Sequence, residues 1–360
     1  MRVLICGGGV IGAAIAYFLS LRSVEAVVIE RTGLACAASG KSGGFLALDW
    51  CDGSPLEALA RRSFALHAAL PEQIGGDWGY RRMTTYSGFT RAGAHGSRKT
   101  QLGWLSDNVS LDRRLGATDT TAQVDPRAFT TAMMRAAETR GARLQRGRVT
   151  GIVRGPTAAT VAGVEIDGAI IKGDAVVIAM GPWSMLAARW LPLPGVSGLK
   201  GHSLIFETGN EIPPEAIFLD FQEASGDIES PEVFPRANGT TYVCAIRGTD
   251  PLPDDPAEVA PEPGAIERLH AMCAQLSPVL ARARVLARQA CYRPIAEDGL
   301  PLIGRVPGVT GAYVATGHSV WGILNAPATG EAIAELLVDG ATRSVDLSPF
   351  DPGRFSAGRQ

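Results

Sequence analysis

The first residues able to do chemistry lie within thirty positions of the N-terminus. Gly7, Gly9 and Gly12 stand in a GxGxxG spacing directly after the apolar run Val3-Leu4-Ile5. Directly after them comes the tightly apolar Ala13-Ala14-Ile15-Ala16-Tyr17-Phe18-Leu19. A second apolar run, Ala26 to Ile29, ends on Glu30. The order strand, glycine turn, helix, strand, acid is that of a dinucleotide-binding βαβ unit. Gly7 permits the tight turn, Gly9 lets backbone approach a pyrophosphate, and Gly12 lets helix and strand pack closely. The helix start offers unpaired N–H groups and a positive dipole end to the phosphates. Glu30 stands where a carboxylate accepts the ribose hydroxyls of an adenosine, which argues against a 2′-phosphate and hence NADP. On these residues alone FAD and NAD both stay open.

Little else in the chain can react unaided. HExxH, GxSxG and GxxxxGK[ST] patterns are absent, so hydrolase and P-loop chemistry lack a foothold. Cys6, Cys36, Cys51, Cys244, Cys273 and Cys291 lie far apart with no CxxC pair, which argues against a metal site or a disulfide scaffold. The chemistry must then come from a bound organic cofactor, with the protein supplying position and electrostatics.

The elements that position these residues follow from pattern. After Glu30 an NAD enzyme would continue with alternating helices and strands, yet residues 36–47 are mostly small and show no clear helical face. Such a stretch suits backbone laid against a flat ligand. Asp125-Pro126 caps an amphipathic helix closed by Gly141, and Leu144 to Val153 reads as a strand. Asp167-Gly168 and Asn238-Gly239 read as hairpin turns. Pro251 to Pro263 reads as a solvated surface connector before a helix from Ala265 to Leu276. Lys plus Arg total 34 against 36 acids, without a basic stripe, so nucleic acid is not an expected partner. No apolar run reaches the length of a membrane span, no signal peptide precedes the glycine turn, and the spaced cysteines suit a reducing compartment; a cytoplasmic location is expected.

Four blocks together resemble the D-amino-acid oxidase superfamily of FAD-dependent oxidoreductases, which includes glycine oxidase, sarcosine oxidase and D-amino-acid dehydrogenase. Besides the N-terminal block these are Val176 to Ser184, Tyr292-Arg293-Pro294 with Asp298 to Gly304, and Gly317 to Gly330. The wording from Ala35 to Trp50 is closest to a poorly characterised branch with yeast and plant relatives. The resemblance implies FAD, and hydride transfer from the carbon bearing the amine to flavin N5, giving an imine that hydrolyses.

It also implies a site. Arg293 would bind the substrate carboxylate through its planar fork of donors. His318 and Trp321 would contact flavin or substrate. Ser39, Lys41, Ser42, Gly43 and Gly44 would lie along the cofactor, as would Gly181, Trp183, Gly317, Gly322 and Ile323. Val320 stands where glycine oxidase has a second arginine, and Glu232 near where it has a substrate-contacting tyrosine. Cys291 aligns with the cysteine that carries covalent flavin in monomeric sarcosine oxidase; non-covalent FAD is expected here.

The expected fold is α/β, α+β overall. A Rossmann-like FAD-binding domain takes residues 1–48, 124–196 and 288–345. An interleaved substrate domain built on an antiparallel sheet takes 49–123 and 197–287, and 346–360 forms a tail. The expected activity is FAD-dependent oxidation of an amino acid or amine, with oxygen or another oxidant as acceptor. The alternatives are a flavin-bearing interaction or trafficking protein without turnover, and an NAD-dependent dehydrogenase.

Overall fold

Strand Arg2–Cys6 is buried on both faces, which is why its apolar residues run together without alternation. It pairs in parallel with Glu25–Glu30 on one side and Ala175–Ile178 on the other. Arg143–Arg146 and Ala312–Thr316 extend the parallel set, and Leu302–Arg305 closes one edge antiparallel, giving six strands. These features come from a computed structural model, which describes residues 1–90 and 102–355. Residues 91–101 of the expected substrate domain and 356–360 of the expected tail lie outside the described residues.

One face of this sheet packs on helices Val10–Ser20, Glu57–Ile74, Pro126–Glu138 and Gly322–Val338. The other packs on a three-stranded sheet of Val149–Arg154, Val161–Ile166 and Ala169–Lys172. Helix Gly322–Val338 crosses Val10–Ser20 at Gly330, where a Cβ would lie 2.7 Å from the Ala14 carbonyl carbon. Only glycine lets the two backbones meet at that distance. Asp125 caps Pro126–Glu138 by accepting the Ala128 N–H at 2.9 Å, and the Asp167-Gly168 and Asn238-Gly239 turns close hairpins as expected.

The second large sheet has eight strands. Its order is Arg284–Ala296, Val196–Glu207, Thr240–Arg247, Glu232–Pro235, Glu215–Gln222, Thr84–Thr90 and Val109–Gly116, with Ile228–Glu229 paired beside Glu215–Gln222. The face carrying Leu204, Phe206, Val233 and Val243 packs on helix Ala265–Leu276.

As expected, this sheet is built mainly of antiparallel pairs; Glu215–Gln222 and Thr84–Thr90 alone pair in parallel among the described strands of the sheet. Three expectations need correcting. A boundary at 287/288 falls inside the single strand Arg284–Ala296, which pairs with Val196–Glu207 along its length. The strand read from Leu144 to Val153 breaks at Gly147-Arg148 and serves two sheets. There Gly147 donates to the Glu30 carbonyl at 3.0 Å and Arg148 to the Asp167 carboxylate at 3.1 Å, so the chain switches partners. Residues 251–263 are not merely solvated. Asp255 pairs with Arg31 at 2.6 Å, and the Pro253 carbonyl accepts the Trp183 indole N–H at 2.7 Å. Among the described residues no helix is long and apolar enough to cross a membrane.

Candidate active site

A continuous cavity runs from Glu30, Arg31 and Arg148 past Gly9 to Arg293 and Trp321. At its first end the glycine turn has the shape its spacing implies. A Cβ on Gly7 would lie 2.3 Å from the Ala179 carbonyl oxygen, and one on Gly12 2.0 Å from that of Gly7. Gly7 also sits at φ +117°, a conformation glycine adopts without strain. Gly12 thus acts through helix packing and does not itself line the cavity. The first bond inside helix Val10–Ser20 is Ala13 N–H to Gly9 at 3.0 Å, so the N–H groups before it point out of the helix. Val10 N–H donates to Ser39 Oγ at 2.9 Å. Glu30 accepts N–H bonds from Gly8 and Thr32, each at 2.7 Å, which fixes its carboxylate at the cavity edge.

Midway along, Gly181, Trp183, Ser42, Gly43 and Gly44 line the cavity. The turn Gly181–Arg189 is tied to strand Ala312–Thr316: Thr316 Oγ1 donates to the Gly181 carbonyl at 2.9 Å and accepts from Ser184 Oγ at 3.0 Å. Arg236 is buried and donates to the Ser42 carbonyl at 2.9 Å, holding the small-residue stretch in place. That stretch contains one short helix, Ala38–Lys41. Lys41 does not line the cavity; its ammonium donates to the Ala290 carbonyl at 3.1 Å. The expected place of Lys41 along the cofactor is therefore not where its side chain goes.

The other end is roofed by the free face of the eight-stranded sheet. Arg293 and Cys291 project from Arg284–Ala296, Tyr242 and Cys244 from Thr240–Arg247, Glu232 and Phe234 from Glu232–Pro235, and Phe218 from Glu215–Gln222. Gly201 lies opposite Cys291 and lines the cavity without a side chain to fill it. The Arg293 guanidinium is largely buried and forms no hydrogen bond or ion pair among the described residues. Glu232 is deeply enclosed, and among the described residues its carboxylate accepts one hydrogen bond, from the Cys244 thiol at 3.4 Å. Burial pushes the Glu232 carboxyl above its ordinary range, while Arg293 and Cys244 pull it back in part. Burial also raises the Cys291 thiol.

Opposite the sheet stand Phe45, Trp50 and Trp321. The Phe45 ring lies 5.1 Å from Phe218 and 5.3 Å from Phe234, and Trp50 meets Trp321 edge-on at 6.3 Å. These rings form a closed apolar wall. Gly322 and Ile323 line the cavity where helix Gly322–Val338 begins. Gly317 does not line it; at φ +79° it forms the turn before His318. Ser319, at φ +50°, holds a backbone conformation that is costly for a non-glycine residue beside the site. An isolated bridge between Ile295 and His318 fixes this turn to the strand of Arg293. His318 lies in the cavity wall, but its Nε2 meets Thr329 Oγ1 at 3.1 Å, and burial lowers its pKa to about 3. It is a neutral wall group and a poor proton acceptor.

Sequence reasoning missed Trp50, Phe218, Tyr242 and Arg236. Alternation along Glu232–Pro235 and Thr240–Arg247 was the available signal, yet both faces of these strands are apolar, so it did not reveal which one meets the cavity.

The residues present fit FAD: phosphate-facing helix donors and an acid at one end, and room between aromatic and charged walls at the other. The chain matches the family model described as FAD dependent oxidoreductase across residues 2–336. It is 29% identical over 379 residues to a putative oxidoreductase of Schizosaccharomyces pombe, spanning 98% of this chain and 97% of that protein. It is 26% identical over 379 residues to a glycine oxidase of Pseudomonas putida, spanning 98% of each. The structure of glycine oxidase from Geobacillus kaustophilus superposes with a TM-score of 0.79 at 26% identity, covering 98% of this chain and 99% of that one.

Proposed function

The chain belongs to the FAD-dependent oxidoreductase family, and on that premise we propose that it oxidises the C–N bond of an amino acid held by Arg293. The single observation that carries this reading is the largely buried guanidinium of Arg293, turned into the cavity with no hydrogen-bond partner for its donors among the described residues. A buried cation left unpaired is costly, and a carboxylate completes it with two parallel charged hydrogen bonds. FAD supplies the hydride acceptor when bound. Gly9, Ile11 and Glu30 would hold its adenosine and phosphates, and Gly43, Gly44, Gly181, Gly322 and Ile323 its middle and far portions.

The protein's own contribution is position and exclusion of water. Arg293 orients the substrate, and the wall of Phe45, Trp50, Phe218 and Trp321 excludes solvent from the bond that reacts. Oxygen or another oxidant would serve as the final electron acceptor. The NAD-dependent alternative falls with the family match. The free thiols at all six cysteine positions support the cytoplasmic placement expected from the sequence.

The test is an anaerobic screen of amino acids and simple amines against the holoprotein, read as loss of flavin absorbance. Bleaching by amino acids supports the reading. Bleaching only by amines without a carboxylate would replace it with an amine oxidase.

A further inference from the structure

We propose that Glu232 is a catalytic residue that accepts the proton of the substrate's ammonium group once Arg293 holds the carboxylate. This rests on the amino-acid reading of the same site. An amino acid arrives from neutral water as a zwitterion, whereas oxidation of its C–N bond needs the nitrogen lone pair free. In the step, an N–H bond of the ammonium breaks, its electron pair stays on nitrogen, and an O–H bond forms on the Glu232 carboxylate.

Glu232 is placed for this, and the other cavity groups are not. Among the described residues it and Glu30 are the only carboxylates in the cavity wall, and Glu30 is occupied at the far end by backbone N–H groups. His202 has both nitrogens engaged, Nδ1 with the Ile246 carbonyl at 2.9 Å and Nε2 as acceptor from Glu262 N–H at 3.0 Å. His318 is held neutral and weakly basic by burial. The Tyr242 hydroxyl and the Cys244 and Cys291 thiols are all raised by burial, so they stay protonated at neutral pH.

The charged and titratable groups facing Glu232 are Arg293 and Cys291 from Arg284–Ala296, and Tyr242 and Cys244 from Thr240–Arg247; Glu215–Gln222 presents the apolar Phe218. Arg293 favours the ionised carboxyl in the free protein. A substrate carboxylate on Arg293 offsets that pull, so Glu232 gains proton affinity as substrate binds. With Phe218 and Phe234 beside it, the surroundings favour a neutral acid and neutral amine over a desolvated ion pair.

The experiment is anaerobic flavin reduction across pH, using the fastest amino acid of the screen with wild type and Glu232→Gln holoprotein. General-base contributions run about 10²–10⁴-fold, so Glu232→Gln should be slowed roughly 10²-fold or more at pH 7. The deficit should close above the amine's own pKa, where the neutral amine arrives from solution. A deficit equal at every pH, or none at pH 7, overturns the proposal. Should Glu232→Gln fail to fold, benzoate binding to wild type decides: proton uptake from an indicator dye near pH 6 is expected, and its absence overturns the proposal. If no amino acid bleaches the flavin, or Arg293→Ala binds benzoate as wild type does, the reading beneath has failed and the proposal falls with it. Benzoate bound through Arg293 without proton uptake overturns the Glu232 role alone.

Discussion

Glu232 and Arg293 face one cavity from the same sheet, and no ion pair joins them although each feels the other's charge. Strands Thr240–Arg247 and Val196–Glu207 lie between theirs, a lateral separation of three strand spacings or about 14 Å at the backbone. Glu232 lies opposite Cys244, which lies opposite Ser203 and then Gln289, four residues along the strand from Arg293. The two side chains therefore approach diagonally and leave a gap. A buried cation and acid that do not neutralise each other are complemented by a ligand carrying both charges.

The isolated protein should be yellow and release FAD on heating. Glu30→Ala should weaken FAD binding by about 1.5–3 kcal/mol through lost charge-assisted hydrogen bonds. Fluorescence titration of the apoprotein measures this. Since Glu30 also holds the Gly8 and Thr32 N–H groups, FAD dissociation should quicken as well.

FAD should be held without a covalent bond to Cys291. The thiol faces the cavity, but burial raises it and keeps the reactive thiolate scarce. Acid precipitation should leave the flavin in the supernatant; flavin in the pellet that disappears in Cys291→Ala would show the opposite.

Gly330→Ala should destabilise the fold despite alanine's better helix propensity. The new methyl would stand 2.7 Å from the Ala14 backbone, which cannot swing aside as a side chain can. Overpacking of this kind costs about 1–3 kcal/mol, against about 1 kcal/mol gained in propensity. Denaturant melting with FAD held saturating measures the difference.

Stability should fall below neutral pH through the buried histidines. Burial lowers His67 from 6.5 to about 4 and His318 from 6.5 to about 3. Below 6.5 the unfolded chain binds protons that the native one refuses. Each histidine then contributes stability present above the unfolded value and lost as pH falls toward the folded one, at most about 1.4 kcal/mol per pH unit. Urea midpoints at pH 7 and pH 5 should differ in that sense, and less so in His67→Gln.

The cofactor end was legible in the sequence because its constraints are local. Gly7, Gly9, Gly12 and Glu30 lie within one βαβ unit, where spacing alone dictates the turn. The roof of the site was legible at Arg293 through its block wording, and at Glu232 and Cys291 through positions that the resemblance marks. Glu232 and Tyr242 stand in the hairpin turned at Asn238-Gly239, which spacing reveals, but the face it presents to the cavity depends on pairing through Val196–Glu207 to Arg284–Ala296 far along the chain, which has no local signature. The 251–263 segment misled for a related reason. Its prolines and acids read as solvated, but Asp255 and Pro253 bind Arg31 and Trp183 from far along the chain.

The role proposed for Arg293 is to bind a substrate carboxylate. Its most direct test is steady-state kcat/KM of Arg293→Ala and Arg293→Lys on the best amino acid of the screen, with flavin occupancy measured alongside. Truncating one partner of a buried charged pair costs about 2–5 kcal/mol. Arg293→Ala should therefore lose roughly 30- to several-thousand-fold in kcat/KM. Arg293→Lys should recover part of that, since it restores charge without the fork, and both variants should keep near wild-type FAD. Full kcat/KM in Arg293→Ala would contradict the claim.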